Sequence, residues 1–211
     1  MKEAMIKTYI VGPVRTNCHI LYREGEEKAL VFDPGASGRQ LYEEITKLGL
    51  KVEGIFITHG HFDHICGVEE LKDLSGAKVY GPSSEKRFFS DVQYNHSALY
   101  GLDCTIDPDV YLEDLETVQA GGFSVQTIFT PGHTEGGCCY YLPEEGILIS
   151  GDTLFHQSVG RTDMETGNMD LLEKSIREKL YVLPDETVVY PGHESPTTIG
   201  YEKTHNFFVR A

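Results

Sequence analysis

No stretch of this 211-residue chain comes near the roughly 18 uninterrupted apolar positions that a membrane-crossing helix needs. The N-terminus, "MKEAMIKTYIVGPVRTN", also lacks the short apolar core followed by small residues that marks an export signal. A cytosolic protein without membrane contact is the expectation. Basic residues are scarce: 18 Lys and Arg stand against 33 Asp and Glu, for a formal net charge of −15. Nucleic-acid affinity comes largely from Lys and Arg neutralising phosphates, so this balance argues against a DNA or RNA partner. The acidic surplus reads as a solvated surface. Cysteine is sparse as well. Cys18, Cys66, Cys104, Cys138 and Cys139 are an odd number without framework spacing, which predicts buried, reduced thiols. Adjacent Cys138 and Cys139 fall in a strand, where successive side chains point to opposite faces, so they are not expected to pair. Fixed-period repeats, low-complexity tracts and Pro/Ser-rich linkers are all missing, and nothing divides the chain. One domain over residues 1–211, 40% hydrophobic, is long enough to bury a single core.

What is present is a succession of short β-rich runs and amphipathic helices. "MIKTYIV", "CHILY" and "ALVFD" read as strands, the last closed by the turn signal Pro34-Gly35. Leu41, Ile45 and Leu48 recur at helical spacing, with Gly49 as the stop. "VEGIFIT" is a further strand, "VEELKDLSG" a helix and "AKVYG" a strand. Residues 83–114 mix polar and aromatic side chains and predict a short helix around Glu85 to Phe89 followed by loop. A second β series, "FSVQTIFT", "CCYYL" and "GILIS", precedes the helix "DLLEKSIREKLYVL" and the strand "TVVYP". Two β-rich halves, each with helices, predict an α/β (α+β) architecture of two packed sheets with helices outside.

The strand "VEGIFIT" runs directly into "THGHFDH", which places His59, His61, Asp63 and His64 within six positions. An H-x-H-x-D-H string arises by chance on the order of once in a thousand chains of this composition. Neutral imidazole and carboxylate are metal ligands, and loops at strand ends carry such groups on a rigid frame. Three more candidates follow apolar strands and a glycine: His133 in "FTPGHTEGG", Asp152 in "LISGD" and His193 in "VVYPGH". Each glycine permits a tight turn and close backbone approach.

This pattern resembles that of the metallo-β-lactamase superfamily, and the resemblance runs along almost the whole chain. It implies an αββα sandwich of two packed mixed β-sheets with helices on the outer faces. It also implies two divalent ions, zinc as first choice with iron or manganese as alternatives, because N/O ligands accept all three. By the same match His59, His61 and His133 take one ion, Asp63, His64 and His193 the other, and Asp152 bridges them. Asp63 and Asp152 are the implied catalytic residues, Asp63 also orienting the attacking hydroxide or receiving its proton. Asp33 in "VFDPG" is implied as an outer partner of a ligand histidine, its alternative being a turn former before Pro34. "GDTLFHQSVGRTD" and "YPGHESPTTIGYEKTHNFF" narrow the resemblance to small relatives of glyoxalase II, the hydroxyacylglutathione hydrolases. The larger glyoxalase II carries a C-terminal helical domain that helps hold glutathione, and none is expected here.

The resemblance therefore implies a hydrolase that attacks S-lactoylglutathione or a related thioester with a hydroxide held between two metals. Its substrate is a small anionic thioester, with Arg161 as candidate carboxylate anchor and Phe155 as candidate wall of the site. For Arg161 a surface role, and for Phe155 a core role, are the alternatives. A persulfide dioxygenase using one iron and a non-catalytic metal-binding module are the competing functions.

Overall fold

In the computed structural model, which describes residues 2–211, the short β-rich runs become two six-stranded mixed sheets packed face to face. The first holds β1 (Ala4–Val11), β2 (Thr16–Arg23), β3 (Lys28–Phe32), β4 (Lys51–Phe56), β5 (Lys78–Pro82) and β6 (Val110–Leu112), in that spatial order. β1 to β3 pair antiparallel and β3 to β6 parallel. Next along the chain come β7 (Thr117–Ala120), β8 (Phe123–Phe129), β9 (Cys138–Leu142) and β10 (Ile147–Gly151). A short ribbon, β11 (Leu154–Phe155) with β12 (Ser158–Val159), precedes β13 (Val188–Pro191) and β14 (Thr197–Thr198). The second sheet runs β14-β13-β10-β9-β8-β7, parallel only between β10 and β13.

Strand alternation decides which layer each side chain enters. Leu30 and Phe32 of β3 meet Cys138, Tyr140 and Leu142 of β9 between the sheets. Their neighbours face outward: Ala29 and Val31 pack under α1 (Gly38–Lys47), α2 (Phe62–Ile65) and α3 (Val68–Ser75). Cys139 and Tyr141 pack with helices on the opposite face. The remaining helices are α4 (Lys86–Ser90), α5 (Met169–Ser175), continued by a π-turn over Ile176–Leu180, and α6 (Ile199–His205). The result is an αββα sandwich, and each large apolar side chain withdrawn into it contributes about 1.5–3 kcal/mol. Leu48 departs from the helical reading: it caps α1 and is exposed, while Leu50 takes the buried place.

Cysteine pairing also differs from expectation. Cys66 and Cys104, 38 positions apart, form a disulfide with their Cα atoms 5.2 Å apart, while Cys18, Cys138 and Cys139 are buried thiols. The pairing follows from tertiary folding that a cysteine count does not register. The segment after α4 folds back on α2, where the Asn95 carbonyl accepts the Phe62 N–H at 2.8 Å and Tyr100 stacks on Phe62 at 4.3 Å. No helix among the described residues is long and apolar enough to cross a membrane.

Candidate metal centre

The fold brings the ends of β3, β4, β8, β10 and β13 together at one rim of the sandwich. Two bonds between the sheets fix the rim beside the first histidine: the Tyr140 hydroxyl donates to the Ile57 carbonyl at 2.7 Å, and the Cys138 N–H to the Thr58 carbonyl at 2.9 Å. All seven residues picked from the sequence meet there, as three overlapping groups whose potential ligand atoms lie within 4.8 Å of one another: His59, His61 and His133; His59, His64 and Asp152; Asp63, His64 and His193. His61 Nδ1 and His133 Nε2 are 2.9 Å apart. Asp152 stands between the groups. Its Oδ2 is 3.5 Å from both His133 Nε2 and His193 Nε2, and its Oδ1 is 3.5 Å from His64 Nε2. Asp63 Oδ2 lies 3.4 Å from His193 Nε2 and 3.5 Å from His64 Nε2.

These side chains suit divalent cations, because several of their polar atoms are buried and left without partners. His59 Nε2, His61 Nε2, His64 Nε2 and Asp152 Oδ1 are buried and accept or donate no hydrogen bond. Native interiors rarely tolerate such atoms unless something else satisfies them. The histidines would be ligands through imidazole nitrogen and the aspartates through oxygen, a donor set that takes zinc, iron or manganese.

Electrostatics point the same way. Burial, reinforced by neighbouring imidazoles, holds His59 and His61 well below the usual imidazole pKa. Burial also lowers His133. These rings are therefore neutral, the form that binds metal. Burial pulls His64 in the same direction, but Asp63, Asp152 and Asp33 outweigh it and raise that ring to about 10. Burial likewise opposes ionisation of Asp63, yet His64, His193 and Thr16 keep it well below the carboxylate range. The surplus of carboxylate at this point attracts positive charge, and a divalent cation competes there with the proton on His64.

Partners behind the candidate ligands fix which nitrogen each ring presents. Asp33 accepts the Thr58 N–H at 2.8 Å and the Thr58 hydroxyl at 2.7 Å, and its Oδ2 lies 3.0 Å from His64 Nδ1. Since the Thr58 hydroxyl donates to Asp33, it accepts from His59 Nδ1 at 3.1 Å, which leaves the His59 Nε2 lone pair for a ligand role. Asp33 thus orients His64 directly and His59 through Thr58. His133 Nδ1–H donates to the Arg161 carbonyl at 2.7 Å. The start of β2 adds supports that sequence reasoning missed. Thr16 donates its hydroxyl to Asp63 Oδ2 at 2.7 Å. Asn17 donates Nδ2–H to the Pro191 and Glu194 carbonyls at 3.0 and 2.9 Å and its N–H to Gly192 at 2.7 Å. His19 Nε2–H donates to Pro191 at 2.9 Å. Nothing in the string "VRTNCHILY" distinguishes these residues from ordinary strand polar groups.

A cleft of about 570 Å³ opens over the cluster, walled by Val14, Phe62, Leu99 and Tyr100 on one part and by Arg161, Asp163, Met164 and Glu165 on another. Arg161 lies at its rim, largely exposed, its guanidinium paired with both Asp163 carboxylate oxygens at 2.7 and 2.9 Å. Phe155 sits edge-on to His193, ring centres 6.1 Å apart, and backs that ligand rather than lining the cleft. His96 lines it, tilted against His61 at 5.2 Å. His156 stacks on Tyr201 away from it.

Known proteins resemble this chain along nearly its whole length. Residues 11–193 match the family model described as the metallo-beta-lactamase superfamily. The chain is similar to the probable metallo-hydrolase YqgX of Bacillus subtilis (strain 168), 37% identical over 201 residues that cover 94% of each chain. It is also similar to the hydroxyacylglutathione hydrolase GloC of Haemophilus influenzae, 31% identical over 204 residues, 95% of this chain and 96% of that one. Among solved structures, the BLEG-1 B3 metallo-β-lactamase gives a TM-score of 0.92 at 37% identity, covering 98% of this chain and all 100% of the other. TTHA1623 in a di-iron-bound form gives 0.84 at 30% identity, covering 96% and 100%.

Proposed function

Because this chain belongs to the metallo-β-lactamase superfamily, we propose that it is a dinuclear metallo-hydrolase that cleaves S-lactoylglutathione or a related small thioester. The observation that carries the dinuclear reading is Asp152, whose two oxygens face ligands of both groups at 3.5 Å. Similarity to GloC supports the thioester. A thiolate also leaves without needing a proton, which relaxes the demand for a general acid.

Two divalent cations, when bound, supply an acidified water and polarise the scissile carbonyl. The chain's own groups do the rest. His59, His61 and His133 would hold one cation, Asp63, His64 and His193 the other, with Asp152 between. Asp63, kept far below neutral pKa and fixed by the Thr16 hydroxyl, is a weak base, so its part is to orient the attacking water by accepting a hydrogen bond. The apolar wall of Val14, Leu99 and Tyr100 shields the acyl group, and the Arg161 rim faces the polar carrier. Against the cytosolic residence expected from the sequence stands the Cys66–Cys104 bond, of a kind that persists in oxidising compartments.

The likeness to BLEG-1 favours a second reading, β-lactam hydrolysis. Side-by-side assays of the zinc-loaded protein on S-lactoylglutathione, a β-lactam, a lactone and a phosphodiester separate the two. The thioester is expected to give kcat/KM at least about tenfold above each of the others. A β-lactam preferred over the thioester would overturn the assignment, as would oxygen uptake with glutathione persulfide by the iron form. Metal retained without turnover of any ester would make the protein a binding module.

A further inference from the structure

Glu85 ends the 3-10 turn Ser83–Glu85 and is fully buried. Its carboxylate accepts three hydrogen bonds, all from the turns that carry the three-histidine group. Oε2 accepts the Gly60 N–H at 2.8 Å; Oε1 accepts the Thr134 hydroxyl at 2.7 Å and the Gly136 N–H at 3.0 Å. Gly60 separates His59 from His61, and Thr134 follows His133. Ser84 adds a fourth tie, donating its hydroxyl to the Gly136 carbonyl at 2.8 Å. A single short segment therefore clasps both halves of one ligand set.

The choice of residue is costly for stability alone. Among the described residues no Lys, Arg or His pairs with Glu85, and burial pushes its carboxyl up to about 7 despite the bonds from Thr134, Gly60 and Gly136. Buried carboxylate without a cation is disfavoured unless hydrogen bonds compensate it. Only an ionised carboxylate accepts all three bonds. A glutamine in either orientation turns its NH₂ toward one donor and leaves the Gly60 or the Gly136 N–H without an acceptor.

We propose that Glu85 is a positioning residue for the metal centre: by spanning the His59–His61 turn and the His133 turn it sets the affinity of the three-histidine site and leaves the Asp63/His64/His193 site alone. This rests on the dinuclear reading above. Asp33 serves the second group by direct contact with His64; Glu85 serves the first through the backbone that carries the ligands.

The test is a zinc titration of metal-free protein against a chromophoric chelator, with His133→Ala identifying which binding step belongs to the three-histidine site. Glu85→Gln is expected to weaken that step about tenfold or more, in the range found for outer partners of metal ligands, and to leave the other step within about twofold. Glu85→Asp keeps the charge but shortens the reach and recovers part of the loss. Thr134→Val removes one donor and weakens the same step by less. Activity of these variants should return with excess zinc, which a merely misfolded enzyme would not show. Unchanged affinities in Glu85→Gln and Thr134→Val overturn the proposal, as does equal weakening of both steps in parallel with a lowered Tm of the metal-free form. If Glu85→Gln does not fold, Thr134→Val decides alone. Wild-type protein that binds fewer than two zinc ions removes the dinuclear reading and this proposal together, a result visible before any variant is made.

Discussion

Asp152→Ala is expected to lower thioester hydrolysis by more than about 100-fold, beyond the loss typical of groups that only support a ligand, and to reduce bound metal below two ions per chain. The reasoning is geometric. Oδ2 is shared between His133 and His193, and Oδ1 faces His64, so one truncation takes an anionic donor from both groups at once. It also removes one of the three carboxylates that raise the pKa of His64. The fold should survive, because Asp152 lies outside the three hydrophobic clusters and its turn is closed by backbone bonds such as Thr153 N–H to Ser150 at 3.1 Å. Metal analysis, kcat/KM and far-ultraviolet circular dichroism on one preparation check it. Activity within tenfold of wild type would remove the bridging role.

A glycine supplies the second large effect. A Cβ added at Gly192 would overlap Asp152 Oδ1 and stand 2.8 Å from His64 Cε1, so something must shift. The backbone there has little room to retreat, since the Gly192 N–H donates to Gly151 at 2.8 Å and its carbonyl accepts from Asn17 at 2.7 Å. The Asp152 carboxylate must yield instead. Gly192→Ala is therefore expected to mimic Asp152→Ala in metal content and activity without adding or removing any ligand. A Gly192→Ala protein with normal metal content and turnover would mean that the carboxylate has another place to go.

The candidate ligands that meet at the rim were legible because they sit at strand ends: a polar residue after an apolar run and a glycine marks the turns at His133, Asp152 and His193, and the H-x-H-x-D-H string is too improbable to ignore. The two packed sheets were legible for a similar reason, since the continuous apolar runs "CCYYL" and "ALVF" report strands buried on both faces. Short edge elements were not. β6 has three residues and exists through its parallel pairing with β5; β14 exists through its pairing with β13, and α6 is tied to the body by the distant Tyr181 hydroxyl, which donates to the Glu202 carbonyl. The supports were the least visible part. Thr16, Asn17 and Glu85 act on residues 47, 174 and 51 positions away, and no local spacing encodes such reach. The Cys66–Cys104 bond is of the same kind, a consequence of where the segment after α4 folds.

The proposed centre holds two cations with seven side chains, both ions within bonding reach of Asp152. Metal content of zinc-loaded wild-type protein, combined with X-ray absorption at the zinc edge, distinguishes this from a mononuclear or empty site. Two ions per chain with a metal–metal vector of about 3.5–4 Å is the predicted result. A single ion per chain, or a second one with no metal neighbour at that distance, would contradict it.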